Sequence, residues 1–291
     1  MKNILHISLL TVVLMLSSCT KTIDLEYDAT PSKLVVSGYV SNEEIYVTLT
    51  RTSNMESQLE SLFVNGATVT ISGDDGYEET LEQDNDGRYI SPTGAKGTPG
   101  TTYTLNITKG DTTCTANCKM PEPASLDSVK IEWNELISDF YLRTAKFFVG
   151  DTSANGFYQT IIHTNGEVFK WDLMSNEIDQ GKNKYKLIGI MTKATWEDAE
   201  EDKKKGNNLD DYNVIYLDDE VVFELRALDE NVYKFYSSLD ENTNQAINPK
   251  SNIEGDGCLG FFSAYYSSSL KCIYTNDDVI LLTNKKGIIM L

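Results

Sequence analysis

The sequence predicts a mostly β protein with two short helices, in which an N-terminal immunoglobulin-like or transthyretin-like β-sandwich is followed by a second antiparallel β-rich domain. Three observations predict it. Apolar residues recur at every second position through most of residues 34–120, the spacing that turns one face of a strand toward a core. Turn signals rich in Gly and Asp interrupt that alternation at short intervals, as hairpins require. Helical spacing is confined to two stretches, near residues 195–205 and 229–240.

The chain opens with a stretch that belongs to neither domain. Residues 1–18 have the form of a lipoprotein signal peptide, with Lys2 as the basic start and Ile4 to Leu16 as the apolar core. That core is shorter than the roughly 20 apolar residues a bilayer-spanning helix takes. Leu16-Ser17-Ser18-Cys19 places small residues between a Leu and a Cys, the form of a lipoprotein processing site, so Cys19 is the expected point of lipid attachment. A diacylglyceryl group on its sulfur and a further acyl chain such as palmitate on its nitrogen would hold firmly, because each buried CH2 contributes ~0.8 kcal/mol. Residues 19–33 are polar, lack periodicity and include Pro31, and read as a tether.

Residues 34–122 form the expected sandwich. Leu34, Val36 and Val40 share one face, and Ile45, Val47 and Leu49 alternate with Tyr46, Thr48 and Thr50. Ala67, Val69 and Ile71 continue the alternation, Gly73-Asp74-Asp75-Gly76 and Asp86-Gly87 turn the chain, and Tyr103, Leu105 and Ile107 give another inward set. After Gly110-Asp111, Cys114, Ala116, Cys118 and Met120 fall in phase, and Met120-Pro121-Glu122-Pro123 marks the expected boundary.

Residues 123–275 form the expected second domain. Val129 to Trp133, Thr144 to Val149, Phe157 to Ile162, Val168 to Leu173, Tyr185 to Ile190, Val214 to Leu217 and Val221 to Leu228 read as extended. Thr195-Trp196-Glu197-Asp198 resembles a capping box that opens a helix ended by Gly206, and the Glu200–Lys204 and Glu201–Lys205 spacings suit a solvated face. Asp229 can cap a second helix, whose Val232, Phe235, Tyr236 and Leu239 make a core stripe. Leu259 to Tyr266 and Leu270 to Tyr274 read as closing strands, and residues 276–291 as a tail.

Charge and residue inventory exclude several function classes. With 44 acidic against 25 basic side chains, the net charge of −19 repels nucleic acid and anionic headgroups. No second apolar run reaches spanning length, so the body is tethered and does not traverse. The two histidines are His6, in the leader, and His163, so the body cannot build a two-histidine metal site. No phosphate loop, dinucleotide fingerprint or nucleophile elbow occurs, and no catalytic, metal or cofactor set is assigned. Glu82-Gln83-Asp84-Asn85-Asp86-Gly87 mimics the start of a calcium loop, but Thr93 stands where the bidentate Glu would be, so a hairpin turn is expected. Trp133, Trp171 and Tyr265-Tyr266 are candidates for a sugar-stacking platform, with packing at strand spacing as the preferred account.

An oxidising envelope permits disulfides among Cys114, Cys118, Cys258 and Cys272, and four cysteines allow three connectivities. Cys114 and Cys118 in one strand would lie ~13 Å apart, too far for a bond. Cys258 with Cys272 is the candidate local pair, against free buried thiols.

Several stretches resemble those of a Bacteroidota lipoprotein family grouped as domain of unknown function number four-two-four-nine. They begin with the processing site and Lys33 to Val40, then Val64 to Ile71, Gly87-Arg88-Tyr89, Thr101 to Leu105 and Leu126 to Val129. Val232 to Leu239, Asn248 to Gly255 and Gly260 to Ala264 follow in the family's order. Asp256 and Cys258 interrupt the family's late glycine-rich stretch. The resemblance implies a lipoprotein of the outer membrane, periplasmic or surface-exposed, met alongside TonB-dependent transporters, with no catalytic residues to carry over. The expected function is therefore that of a non-enzymatic, lipid-anchored binding or accessory component of such a transporter. A structural or adhesive surface lipoprotein is the alternative, and a glycan-active hydrolase a third.

Overall fold

A computed structural model describes residues 32–52, 63–150, 156–175, 185–241, 249–284 and 287–290. The expected signal peptide, Cys19 and nearly all of the tether lie outside the described residues. The body from Ser32 onward is one compact unit.

Its frame is an eight-stranded sheet. β1 (Leu34–Ser41) and β2 (Ile45–Arg51) form a hairpin, and β2 continues through β6 (Arg88–Ile90) to β5 (Glu82–Gln83) at one edge. On its other side β1 runs parallel to β15 (Cys258–Ile273), Leu34 pairing with Cys258 and Ser41 with Tyr265. β15 then pairs antiparallel with β14 (Glu220–Leu228), and β11 (Phe157–Thr164) and β12 (Glu167–Ser175) complete the sheet.

Two smaller sheets sit on the same face of this frame, one beyond the other. The first has the order β4-β3-β7-β8, built from β3 (Thr68–Gly73), β4 (Glu78–Thr80), β7 (Thr102–Lys109) and β8 (Thr112–Lys119). Val36, Val47 and Leu49 share one core with Val69, Ile71, Leu105, Ile107 and the inward set Cys114, Ala116 and Cys118. The second sheet has the order β13-β10-β9-β16-β17, from β9 (Leu126–Ile137), β10 (Phe140–Val149), β13 (Tyr185–Thr192), β16 (Val279–Thr283) and β17 (Gly287–Met290). It encloses a second core in which Phe147 meets Phe223 edge to face at 5.7 Å.

The fold is mostly β, as expected, but the boundary near Met120-Pro123 divides two cores and not two independent sheets. β15 explains this. Phe262 and Ala264 on its inward side fill the first core, and Cys272 further along the same side fills the second. The expected tail is likewise corrected: β16 pairs with β9, and the guanidinium of Arg143, fully buried, donates to the carbonyls of Asp277 and Asp278 at 2.8 and 3.0 Å. Leu259–Tyr266 and Leu270–Ile273 lie in one continuous strand that stops one residue short of Tyr274, whereas Val214–Leu217 forms no ladder.

Both helices form. α1 (Lys193–Lys205) is capped by Thr192, whose hydroxyl accepts from the Thr195 N–H, three residues earlier than the expected box, and Gly206 ends it in the left-handed region at φ 72°. Glu201 pairs with Lys205 as expected, but Glu200 is buried and accepts from the Leu217 N–H at 3.0 Å. α2 (Glu230–Glu241) is capped by Asp229, which accepts from the Asn231 N–H at 2.8 Å, and its buried Val232 joins the first core. Phe235 and Tyr236 rest on Phe261, at 4.7 and 5.5 Å between ring centres.

β15 has β1 beside its first half and β14 beside its second, so each half has one unpaired edge. Two asparagine amides fill in. Asn252 donates to the Phe262 carbonyl at 2.7 Å and accepts from its N–H at 2.9 Å. Asn42 does the same at Ser267, at 3.1 and 2.7 Å. The Ser251 hydroxyl donates to the Gly260 carbonyl at 2.7 Å, and Cys118 Sγ accepts from the Ala264 N–H at 3.1 Å. Gly260 itself, at φ 107°, has no room for a side chain, since a Cβ would sit 1.9 Å from the Val36 carbonyl oxygen.

The disulfide joins Cys114 to Cys258, which corrects the expected Cys258–Cys272 pair. Cys272 is a buried free thiol in the second core, and its distance along β15 keeps it from Cys258.

Asn252→Ala leaves the Phe262 peptide groups without partners and should cost about 1–3 kcal/mol, read by denaturant unfolding. Non-reducing peptide mapping should return a linked Cys114–Cys258 pair. Its removal should cost roughly 2–5 kcal/mol, while Cys272→Ser should leave the effect of reductant unchanged.

Candidate functional site

The densest group of titratable side chains lies on the open face of the frame. Residues 224 and 226 of β14 point away from the cores, between His163 on β11 and Ser267 on β15. Glu224 accepts from Arg226 Nε at 2.7 Å and from the Ser267 hydroxyl at 2.8 Å on Oε1. Its Oε2 accepts from the second Arg226 nitrogen at 3.0 Å and lies 2.9 Å from His163 Nε2. Burial raises the carboxyl pKa, but the bonds from His163, Arg226 and Ser267 outweigh it and hold the group at about 2. Arg226 in turn sits 4.5 Å over the Tyr265 ring.

This arrangement stabilises more than it transforms. Ser267 and His163 both bond to the same carboxylate and not to each other, so no Ser-to-His-to-acid relay exists. Four contacts occupy the carboxylate, which leaves little lone-pair capacity for a proton or a cation. His163 is therefore not at the surface or sheet edge expected for it: β11 lies between β12 and β14, and the imidazole joins neighbouring strands. The expected Asn165-Gly166 turn follows, with Asn165 at φ 51°.

The other sequence candidates disperse. Trp133 packs 6.1 Å from Trp196, Trp171 lies 5.7 Å from Tyr236, and Tyr265 and Tyr266 project to opposite faces, so they form no platform. Asp84 accepts from the Asp86 and Arg88 N–H groups at 2.9 and 2.8 Å, the geometry of a turn. Among the described residues no group of three His, Cys, Asp or Glu is placed to hold a metal ion. Burial pushes the Cys272 thiol up to about 11 and, with the Asp229 charge, the Cys118 thiol up to about 12, so neither is a ready nucleophile.

The groups left unspent gather elsewhere. A cleft of about 450 Å³ opens where α2, residues 250–254 and the edge strand β8 meet. Asn117 projects from β8, Asn231 and Lys234 from α2, and Lys250 and Glu254 from the segment leading into β15. That segment is fixed at both ends. The Lys250 N–H donates to the Ser238 hydroxyl at 3.0 Å, and Glu254 exchanges two backbone bonds with Thr115 at 2.8 and 2.9 Å. Lys234 pairs with Glu230 at 2.7 Å, and Asn117 Oδ1 accepts from the Thr104 hydroxyl at 2.6 Å. The Lys250 ammonium and the Asn231 amide meet no partner among the described residues. Composition and motif reading missed this cleft; its one signal was Asn248 to Gly255, a stretch quoted for the resemblance.

A family model matches residues 20–271. The chain belongs to the family described as domain of unknown function DUF4249. The match ends within β15, so it takes in the first core, α2 and the cleft and leaves Cys272, Tyr274, Ile280 and Leu282 of the second core outside it. No curated protein matches the chain. Among solved structures, a two-domain fibronectin type III segment from chicken tenascin is similar at 12% identity, over 82% of this chain and 97% of that one, with a TM-score of 0.18.

The depressed pKa of Glu224 makes its contribution pH-dependent. Because the folded value lies below the ordinary 4.5, the stabilisation is complete above about 4.5 and disappears as pH falls toward 2. It amounts to roughly 3 kcal/mol. Denaturant unfolding at pH 7, 4 and 2.5 should show that loss. Glu224→Gln, which strands the buried Arg226, should cost about 3–5 kcal/mol at pH 7 and flatten the acid slope.

Proposed function

We propose that this DUF4249 member is a lipid-anchored envelope protein, fixed to the outer membrane through Cys19, that acts by binding as an accessory component of a TonB-dependent transporter. The observation that carries the reading is Leu16-Ser17-Ser18-Cys19, set between a short apolar run and a compact body. Among the described residues no helix is long and apolar enough to cross a membrane.

The chemistry of the body favours binding over turnover. His163 and Glu224 are committed to one another and to Arg226 and Ser267, whereas the free polar groups line a cleft without a nucleophile–base pair. Display on the outer or the periplasmic side is compatible with this chemistry.

Cys19→Ala should move the body from the membrane pellet to the soluble fraction with an unchanged circular dichroism melt. A variant that still sediments with membranes rules out the lipid anchor. Affinity purification of the native protein from detergent-solubilised envelopes should return a TonB-dependent transporter, and its repeated absence would remove the accessory role while leaving the anchor standing.

A further inference from the structure

Asparagine is followed by glycine at Asn65, Asn155 and Asn165. In such a pair the glycine nitrogen can add to the asparagine side-chain carbonyl, since no Cβ shields it, and the surroundings set the rate. Asn155 lies outside the described residues. Asn65 and Asn165 are both exposed, and each precedes a glycine in the left-handed region, Gly66 at φ 65° and Gly166 at φ 88°. Exposure and backbone therefore do not separate the two.

Their partners do. The bend at Asn65-Gly66 is closed by one hydroxyl: that of Tyr89 on β6 donates to the Val64 carbonyl at 2.9 Å and accepts from the Ala67 N–H at 3.0 Å. Lys109, at the end of β7, sets its ammonium 2.6 Å from the Asn65 carbonyl oxygen and 3.2 Å from that of Gly66. Gln83 on β5 lays its amide across the reacting pair. Its Nε2 donates to Asn65 Oδ1 at 2.7 Å and its Oε1 accepts from the Gly66 N–H at 3.3 Å, so one amide spans the attacking nitrogen and the carbonyl under attack.

These contacts fall where charge develops. When the Gly66 N–H ionises, resonance shares the negative charge with the Asn65 carbonyl oxygen, and Lys109 is the cation beside it. When the nitrogen adds to Cγ, charge moves to Oδ1, which already accepts from Gln83. Asn165 has a donor on its Oδ1, the Glu220 N–H at 3.0 Å, but no cation at its carbonyl among the described residues. Its Nδ2, the leaving nitrogen, is tied at 2.9 Å to the Asp219 carboxylate, whose charge opposes an ionised peptide nitrogen.

We propose that Asn65 is a self-modifying site, deamidated in the folded protein ahead of Asn165 through the contacts of Lys109 and Gln83. The Gly66 nitrogen gives up its proton and bonds to Cγ, the Cγ–Nδ2 bond breaks, and Nδ2 takes up a proton and leaves as ammonia, which gives a cyclic imide. Water then opens the imide. Breaking the bond from the Gly66 nitrogen to Cγ yields aspartate, and breaking its bond to the backbone carbonyl carbon yields an isoaspartate linkage; no atom changes oxidation state. The reaction uses the body alone, so its outcome is independent of Cys19 and of any transporter.

The test keeps the full chain, purified in detergent, at mildly alkaline pH beside a sample unfolded in urea, and follows both over successive days by peptide mapping with mass spectrometry. In the folded protein Asn65 should convert roughly tenfold faster than Asn165, whereas in urea, where only local sequence acts, the two rates should agree within about threefold. Lys109→Ala should slow Asn65 by roughly fivefold or more and leave Asn165 unchanged, Lys109→Arg should keep most of the rate, and cooperative thermal melts should show both variants folded. A folded-state ratio no larger than the ratio in urea, no conversion at Asn65, or an unaltered or faster rate in folded Lys109→Ala overturns the inference.

Discussion

Every part of this body depends on keeping the backbone of one strand paired. β15 is too long for either neighbour, and a buried peptide group without a partner is costly. The solution is two half-length partners and two asparagines. Each amide offers a donor and an acceptor spaced like a peptide group, so Asn42 and Asn252 act as single-residue strands where β1 and β14 stop. With the buried stretch of β15 satisfied on both edges from Gly260 to Ser267, one strand can belong to two cores.

Polar chemistry is divided accordingly between two places. Around Glu224 it is consumed: charge, imidazole and hydroxyl close on one carboxylate, and the arginine's flat face covers Tyr265. Such a closed set specifies strand alignment, since shifting any of the three strands by one residue would turn a polar side chain into a core. At the cleft the opposite holds. Asn117, Asn231 and Lys250 keep free valences because the segment that could have covered them was used to complete β15.

Local features were legible in the sequence and distant ones were not. The alternation of Val36, Val47 and Leu105 fixed which faces are buried, and Gly206 fixed the end of α1, because each acts on its immediate neighbours. The start of α1 was misplaced at Thr195 because Thr192 and Thr195 are both good caps, and their hydroxyls in fact share a bond of 2.7 Å. Glu200 read as solvated because a four-residue charge spacing looks the same on either side of a helix; only the loop carrying Leu217 buries it. The partners of Cys258 and His163 were illegible for a simpler reason. Cys114 lies 144 positions away, and Glu224 reaches His163 only through strand order, which no short-range pattern encodes. The cleft is the extreme case, being assembled from separate segments of the chain.

The parallel pairing of β1 with β15 also bears on how the chain comes to be folded. β1 is among the first segments of the body to be made, and its neighbour follows roughly 220 residues later, which at ~5–20 residues per second is a delay on the order of ten seconds or more. During that interval the β1–β2 hairpin has one bare edge, a template for pairing with another chain. Completion of the sheet is thus a late, nearly whole-chain event, and a truncated or stalled product would lack a closed core at either end. The strand that unifies the finished protein is thus among the last parts of it to be made.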